Sequence, residues 1–236
     1  MATRTAEQYL KLILTLEGRD TGLMTELARL TGVTPASVTG MVKRLAAQGL
    51  LLHVSYGGVE LTPAGREIAV RLLRRHRIAE SYLYEKLQYP LHLLHDEADA
   101  LEHHMSAYLE ERMSSVLGGP SFDPHGHPIP DGDGHLPEFR GLPLAEAAIG
   151  FEGVVAVVPD RDPLFLRRLV DIECVPGRPI RLLSRDEETG VVRIELGRAE
   201  HDINPSHAKD IMVCAAGDTN NSCFEDFLSQ VTTAVR

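Results

Sequence analysis

His76 and Glu80 stand four residues apart, so on a helix both side chains point to one side. Further along, His95, Asp99, Glu102 and His103 fall at i, i+4, i+7 and i+8, again one helical face. Two such faces turned towards each other offer six nitrogen and oxygen ligands. Imidazole with carboxylate, and no thiolate, suits manganese or ferrous iron better than copper(I) or structural zinc. Eight of the eleven histidines lie between His76 and His135, which makes this the region for metal or proton chemistry. A carboxylate-bridged di-metal enzyme is the rival reading, but such bundles need paired Glu-x-x-His segments and only one stretch comes close. His92, His104, His125, His127 and His135 read as exposed or linker residues.

These ligands need long helices to carry them. Pro63-Ala64-Gly65 opens a helical stretch to about Leu87, with Ile68, Leu72, Leu73, Ile78 and Leu83 as core positions, and Tyr89-Pro90 ends it. A second helix is predicted from roughly Leu94 to Leu117, closed by Gly118-Gly119-Pro120. The run from Ser121 to about Pro143, rich in Pro, Gly and Asp, reads as a mobile linker. Beyond it, Val154–Val158, Pro179–Leu183 and Val191–Leu196 are short apolar strands spaced as in a small β-barrel. In the tail, Phe224, Phe227, Leu228 and Val231 return to helical spacing.

Ahead of the ligand helices lies a different kind of module. Tyr9, Leu12, Ile13 and Leu16 form one face of a first helix, and a second runs from about Thr25, an N-cap, to Gly32. Pro35 begins a third, whose apolar stripe is Val38, Met41, Val42 and Leu45. Glu26 to Leu45 fits a helix-turn-helix: Ala28 is small where the helices cross, Gly32 permits the turn, and Val38 and Met41 face inward. The outward set, Thr34, Ser37, Thr39 and Lys43, with Pro35 and Arg44 beside them, suits base edges and phosphates of double-stranded DNA. Leu50–Val54 and Val59–Thr62 then form a hairpin, a wing with Tyr56 at its tip.

Charge divides the same way. Residues 1–75 carry ten Lys and Arg against six Asp and Glu, whereas residues 76–236 carry fourteen against twenty-eight. The mildly basic head suits a polyanion that the acidic body does not. At 236 residues, with 43% hydrophobic and 25% charged, the chain has the composition of a globular protein of two or three domains. No stretch has the run of about 18 apolar residues that a membrane helix needs, and the start lacks a signal-peptide pattern, so a cytoplasmic protein is expected. Cys174, Cys214 and Cys223 fit neither a disulfide framework nor a zinc site and are expected to be buried or idle. A winged-helix regulator answering an organic ligand, with the histidines incidental, is the remaining alternative.

The winged helix-turn-helix, His76-Arg77-Ile78-Ala79-Glu80, His95-Asp96-Glu97-Ala98-Asp99 and Glu102-His103-His104, in this order, resemble the diphtheria-toxin-repressor family of metal-dependent transcriptional regulators. Asp123-Pro124-His125-Gly126-His127-Pro128-Ile129-Pro130 looks like that family's linker, and the β-rich end is similar to its SH3-like third domain. The resemblance implies a mainly α chain with α+β parts: a winged helix-turn-helix over 1–70, a helical dimerisation and metal-binding domain with linker over 71–143, and an SH3-like β-barrel with tail over 144–236. It further implies a homodimer that binds a palindromic operator when metal-loaded and represses metal-uptake genes. His76, Glu80 and His95 match one metal position, and Asp99, Glu102 and His103 the other. Iron-sensing members have a sulfur ligand where this chain has Asp99 and a Met where it has Gln8, which leans the metal from iron towards manganese. Residues Thr34 to Val42 are similar to the manganese-transport-regulator branch. That branch usually lacks the third domain and offers N-terminal acids where this chain has Gln8 and Lys11. Gln8 is then expected to lend an amide oxygen, and Asp160 or Asp162 of the third domain a carboxylate.

Overall fold

The computed structural model describes residues 3–17, 22–54, 58–137, 139 and 141–215. They divide into two compact units, Met1–Arg75 with Gly132–Gly134, and His76–Asp131 with His135–Arg236.

The first unit holds α1 (Arg4–Leu16), α2 (Leu23–Thr31), α3 (Pro35–Ala47), the antiparallel hairpin β1 (Leu51–Val54) and β2 (Gly58–Leu61), and the first half of α4 (Pro63–Leu87). Leu10, Ile13, Leu27, Val38, Val42, Leu45 and Leu51 are buried together with Ala69, Val70 and Leu73 of α4. The apolar stripes anticipated for α1 and α3 are thus the faces that meet. Thr3 caps α1 by accepting from the Ala6 amide, and Thr34 caps α3 by accepting from the Ser37 amide. Thr25 is not the cap of α2. The helix starts two residues earlier, where the Gly22 carbonyl accepts the Thr25 and Glu26 amides at 2.9 and 3.1 Å. Gly32 ends α2 in the left-handed conformation, φ 67°, which a side chain would disfavour. The hairpin tip, with Tyr56, lies outside the described residues.

In the second unit α4 runs on to Leu87, and the expected single helix from Leu94 to Leu117 is two, α5 (Leu94–Glu102) and α6 (Ala107–Leu117). Ser106 causes the break: its hydroxyl accepts the Leu109 amide at 3.1 Å and starts a new helix. Gly118, at φ 81°, closes α6 as anticipated.

The third part is an antiparallel six-stranded sheet in the order β3-β8-β4-β5-β6-β7, made of β3 (Leu142–Pro143), β4 (Glu152–Val157), β5 (Pro179–Arg185), β6 (Val192–Leu196), β7 (Ala199–Ile203) and β8 (Met212–Ala215). Two helices accompany it, α7 (Pro163–Asp171) and the short α8 (Pro205–Ala208). Leu83, Leu91 and Leu94 share one core with Val155, Leu166, Leu169, Leu182 and Ile194, so the end of α4 and the start of α5 pack with this sheet.

The segment following α6 is not a loose linker. Phe122, Asp123, His125 and Ile129 are buried. Asp123 Oδ1 accepts the His125 and His127 amides at 2.8 and 3.0 Å, and Phe122 bridges Pro128, so the turn satisfies its own polar groups and can be buried. Gly126, at φ 92°, lies so close to the Ala156 carbonyl of β4 that no Cβ fits, and the Val158 amide donates to the His125 carbonyl at 3.0 Å. Cys174 and Cys214 are buried, and burial pushes the Cys174 thiol up to about 12. Cys223 and the tail expected to be helical lie outside the described residues. No helix among the described residues is long and apolar enough to cross a membrane.

Candidate metal centre and DNA-reading face

The α4 and α5 faces meet at His76, whose ring is almost fully buried. Its Nε2 lies 3.2 Å from Glu80 Oε1 and 3.2 Å from His95 Nδ1, while its Nδ1 lies 2.8 Å from Glu102 Oε2 and 3.2 Å from Asp99 Oδ1. Two groups therefore share His76: His76, Glu80, His95 and Asp160 on one side, His76, Asp99 and Glu102 on the other, each with ligand atoms within 4.8 Å of one another. His103 reaches the second group through Glu102, Nε2 to Oε1 3.4 Å.

The two aspartates offered as alternatives separate cleanly. Asp160 Oδ2 lies 3.4 Å from His95 Nδ1. Asp162 is not part of the cluster, because its carboxylate caps α7, accepting the Phe165 amide at 2.9 Å. Gln8 is on α1, in the other unit.

His125 and His127, expected as bland linker residues, are the ones sequence reasoning missed. His125 is fully buried, its Nδ1 is 3.6 Å from Glu80 Oε1, and its Nε2 is 3.1 Å from the Leu91 carbonyl. His127 Nδ1 lies 3.4 Å from Asp123 Oδ2, and Asp123, His125 and His127 form a further group of close ligand atoms. Only the Asp-Pro-His-Gly-His pattern hinted at a tight turn here. His104 and His135 are exposed, as expected.

Whether the donor set fits a divalent cation is decided at Glu80. Its side chain is fully buried and neither oxygen has a hydrogen bond. Such a carboxylate is costly unless a positive charge completes it. Burial alone would raise its pKa, yet His76 and His125 beside it hold it well below the usual carboxylate range. Burial works against protonation of His95 and His125 too. Asp160 and Glu80 push His95 up to about 9, and Glu80 pushes His125 up to about 9. Asp160, although partly buried, is held well below its ordinary value by His95 and His127. Protons on imidazoles thus fill the role of a counter-cation among these carboxylates. The set fits a divalent ion bound by nitrogen and oxygen, with no sulfur donor in either group.

In the first unit, Thr34, Pro35, Ser37, Thr39, Lys43 and Arg44 are all exposed, while Val38, Met41, Val42 and Leu45 of the same helix are buried. All three hydroxyls already have duties. Thr34 caps the helix and shares a 3.0 Å hydrogen bond with Ser37, and Thr39 donates to the Pro35 carbonyl at 2.9 Å, leaving its oxygen as an acceptor. One Arg44 nitrogen lies 3.1 Å from Met41 Sδ.

Residues 1–59 match the family described as "Iron dependent repressor, N-terminal DNA binding domain", residues 62–131 "Iron dependent repressor, metal binding and dimerisation domain", and residues 142–214 the FeoA domain. The chain is 32% identical over 219 residues to the iron-dependent repressor IdeR of Mycobacterium leprae (strain TN), covering 92% of this chain and 90% of that protein. It is 29% identical over 196 residues to the diphtheria toxin repressor of Corynebacterium diphtheriae (strain ATCC 700971 / NCTC 13129 / Biotype gravis), covering 77% and 85%. A solved structure described as a manganese-dependent transcriptional repressor complex with manganese superposes with a TM-score of 0.83 at 35% identity, covering 89% of this chain and 99% of that one. The winged helix, the helical ligand domain and the FeoA-type sheet are all present, and the relatives are repressors rather than enzymes, which sets the di-metal enzyme aside. The chain belongs to the diphtheria-toxin-repressor family of metal-dependent DNA-binding transcriptional regulators.

Proposed function

We propose that this chain is a cytoplasmic repressor of metal-uptake genes that binds a palindromic operator as a homodimer when loaded with manganese, ferrous iron being the weaker activator. The observation that carries the reading is Glu80, buried without a hydrogen bond and faced by His76, His95 and His125. His76, Glu80, His95 and Asp160, with His125 opposite Glu80, would hold one ion; Asp99, Glu102 and His103 would hold the other. A bound divalent ion supplies the positive charge that lets these carboxylates stay ionised and the imidazoles neutral.

Everything else is done by the protein. α4 and α5 bring Glu80 and Asp99 to the two sides of His76, and Asp160 closes the first group from the segment before α7. Empty, the carboxylates repel one another; filled, they favour the arrangement in which two copies of α3 enter successive major grooves. Thr34, Ser37 and Thr39 then face base edges, and Lys43 and Arg44 face phosphates. Manganese is favoured because Asp99 offers oxygen where softer ions prefer sulfur.

The test is selection of bound duplexes from random-sequence DNA by the chelated full chain, with manganese, ferrous iron under anaerobic conditions, or nothing added back. Enrichment of a two-fold symmetric sequence only with metal, and at lower concentration for manganese, is expected. The same duplexes recovered without metal would overturn the co-repressor reading and favour an organic effector.

A further inference from the structure

Arg77 sits between two proposed ligands, His76 and Glu80, yet it offers no ligand atom of its own. The guanidinium is buried, donates to the Pro128 carbonyl, and holds Asp123 through Nε to Oδ2 at 3.6 Å. Asp123 spends its other oxygen on the amides of His125 and His127. His125 in turn is fixed by the Leu91 carbonyl and directs Nδ1 at Glu80, one helical turn from Arg77. The contacts close a ring that begins and ends on α4: Arg77, Asp123, His125, Glu80. The guanidinium suits this ring better than an ammonium, because the Pro128 carbonyl and the Asp123 carboxylate are engaged by different nitrogens of one planar fork.

We infer that Arg77 is a positioning residue for the metal centre, clamping the 121–130 turn through Asp123 and Pro128 so that His125 faces Glu80 before any ion arrives. The inference rests on the proposed metal reading and adds to it a preset turn. The turn delivers His125 to Glu80, a member of the first ligand group, so the first position is the one the clamp serves. Pairing of Arg77 with Asp123 is also what makes the two substitutions below equivalent.

The test uses the full chain and manganese alone. Arg77→Met keeps the aliphatic stem and removes the fork; Asp123→Asn keeps the acceptor for the His125 and His127 amides and removes the charge. Calorimetric manganese titration is expected to show one equivalent weakened at least tenfold in either variant, the other within twofold of the unsubstituted chain, and the double variant no weaker than either single variant. Arg77→Lys should recover only part of the loss. In the metal-free chain, hydrogen exchange at the amides of residues 125–127 should speed up in Arg77→Met, a change that loss of a ligand alone would not give. Variants that bind both equivalents and protect these amides like the unsubstituted chain would overturn the clamp alone. Equal weakening of both equivalents with a lowered unfolding midpoint would make Arg77 general support and also overturn it. An unsubstituted chain that takes up no manganese would overturn the metal reading, and this inference with it.

Discussion

Gly126→Ala is the sharpest single probe of how the His125 turn is held. The backbone there has φ 92°, and a Cβ would sit 2.9 Å from the Ala156 carbonyl carbon and 3.1 Å from Val157 Cα, with the Ala156 oxygen closer still. Non-bonded carbons rest at about 3.5–4.0 Å, so the turn must retreat from β4 by at least about 0.6 Å, against backbone that cannot rotate away. Positive φ costs a residue with a Cβ about 1–2 kcal/mol. Retreat weakens the 3.0 Å bond from the Val158 amide to the His125 carbonyl, worth about 1 kcal/mol, and overpacking adds at least about 1 kcal/mol more. The expected loss is about 4 kcal/mol in urea unfolding followed by circular dichroism. Gly132→Ala, where a Cβ meets nothing within 4 Å, should stay within about 0.5 kcal/mol. Manganese uptake should weaken in Gly126→Ala as His125 leaves Glu80. A cost below about 1 kcal/mol would refute the close approach of this turn to β4, and with it the account of how His125 is placed.

Three further outcomes are expected. His95 and His125, held near 9 in the metal-free chain, carry protons at neutral pH that a bound ion must displace; manganese affinity should therefore rise with pH from 6 towards 9, about tenfold per unit for each proton released, and flatten above, whereas a level profile in an electron paramagnetic resonance titration would exclude these imidazoles as ligands. Asp162→Ala should cost about 1 kcal/mol through the lost α7 cap and leave manganese uptake intact, while Asp160→Ala should impair uptake; equal effects on uptake would show that the two were wrongly separated. Lys43→Ala should weaken binding to all duplex sequences alike and lower the salt slope by about one ion in fluorescence anisotropy, whereas loss confined to one base position would make it a base reader.

How much was legible followed from the range over which each residue finds its partners. His76 with Glu80, and His95 with Asp99, Glu102 and His103, are set by helical periodicity alone, and the structure brings both sets around one imidazole. The inward and outward faces of α3 followed in the same way from Val38, Met41 and Val42. The break at Ser106 went unread because Leu94 to Leu117 keeps its apolar spacing across it, although a serine ahead of a helical run is a start signal. Asp162-Pro163 carried a similar signal, an N-cap before a proline at the first helical position, and it would have separated Asp162 from Asp160. His125 could not be read this way. A histidine in a Pro- and Gly-rich run looks solvated until Arg77, nearly fifty residues earlier, and Ala156, thirty residues later, are known to enclose it. Strand β8 was passed over because it is short and pairs with β4, far earlier in the chain, and β7, although only Gly197 and Arg198 separate it from its partner β6, because Ala199–Ile203 is mostly polar.

The first ligand group draws on residues 76, 80, 95, 125 and 160, so the order of synthesis matters to it. A nascent chain that has released only α4 and α5 owns His76, Glu80 and His95 but neither His125 nor Asp160, and has no sheet against which the His125 turn can rest. Domains fold as they emerge, the N-terminal one first. The DNA-reading module can therefore be complete on the ribosome well before the first group has all of its side chains. A fragment ending ahead of β4 carries a reader without a finished sensor, and quality control that removes such fragments protects the operator from a protein that cannot hear the metal.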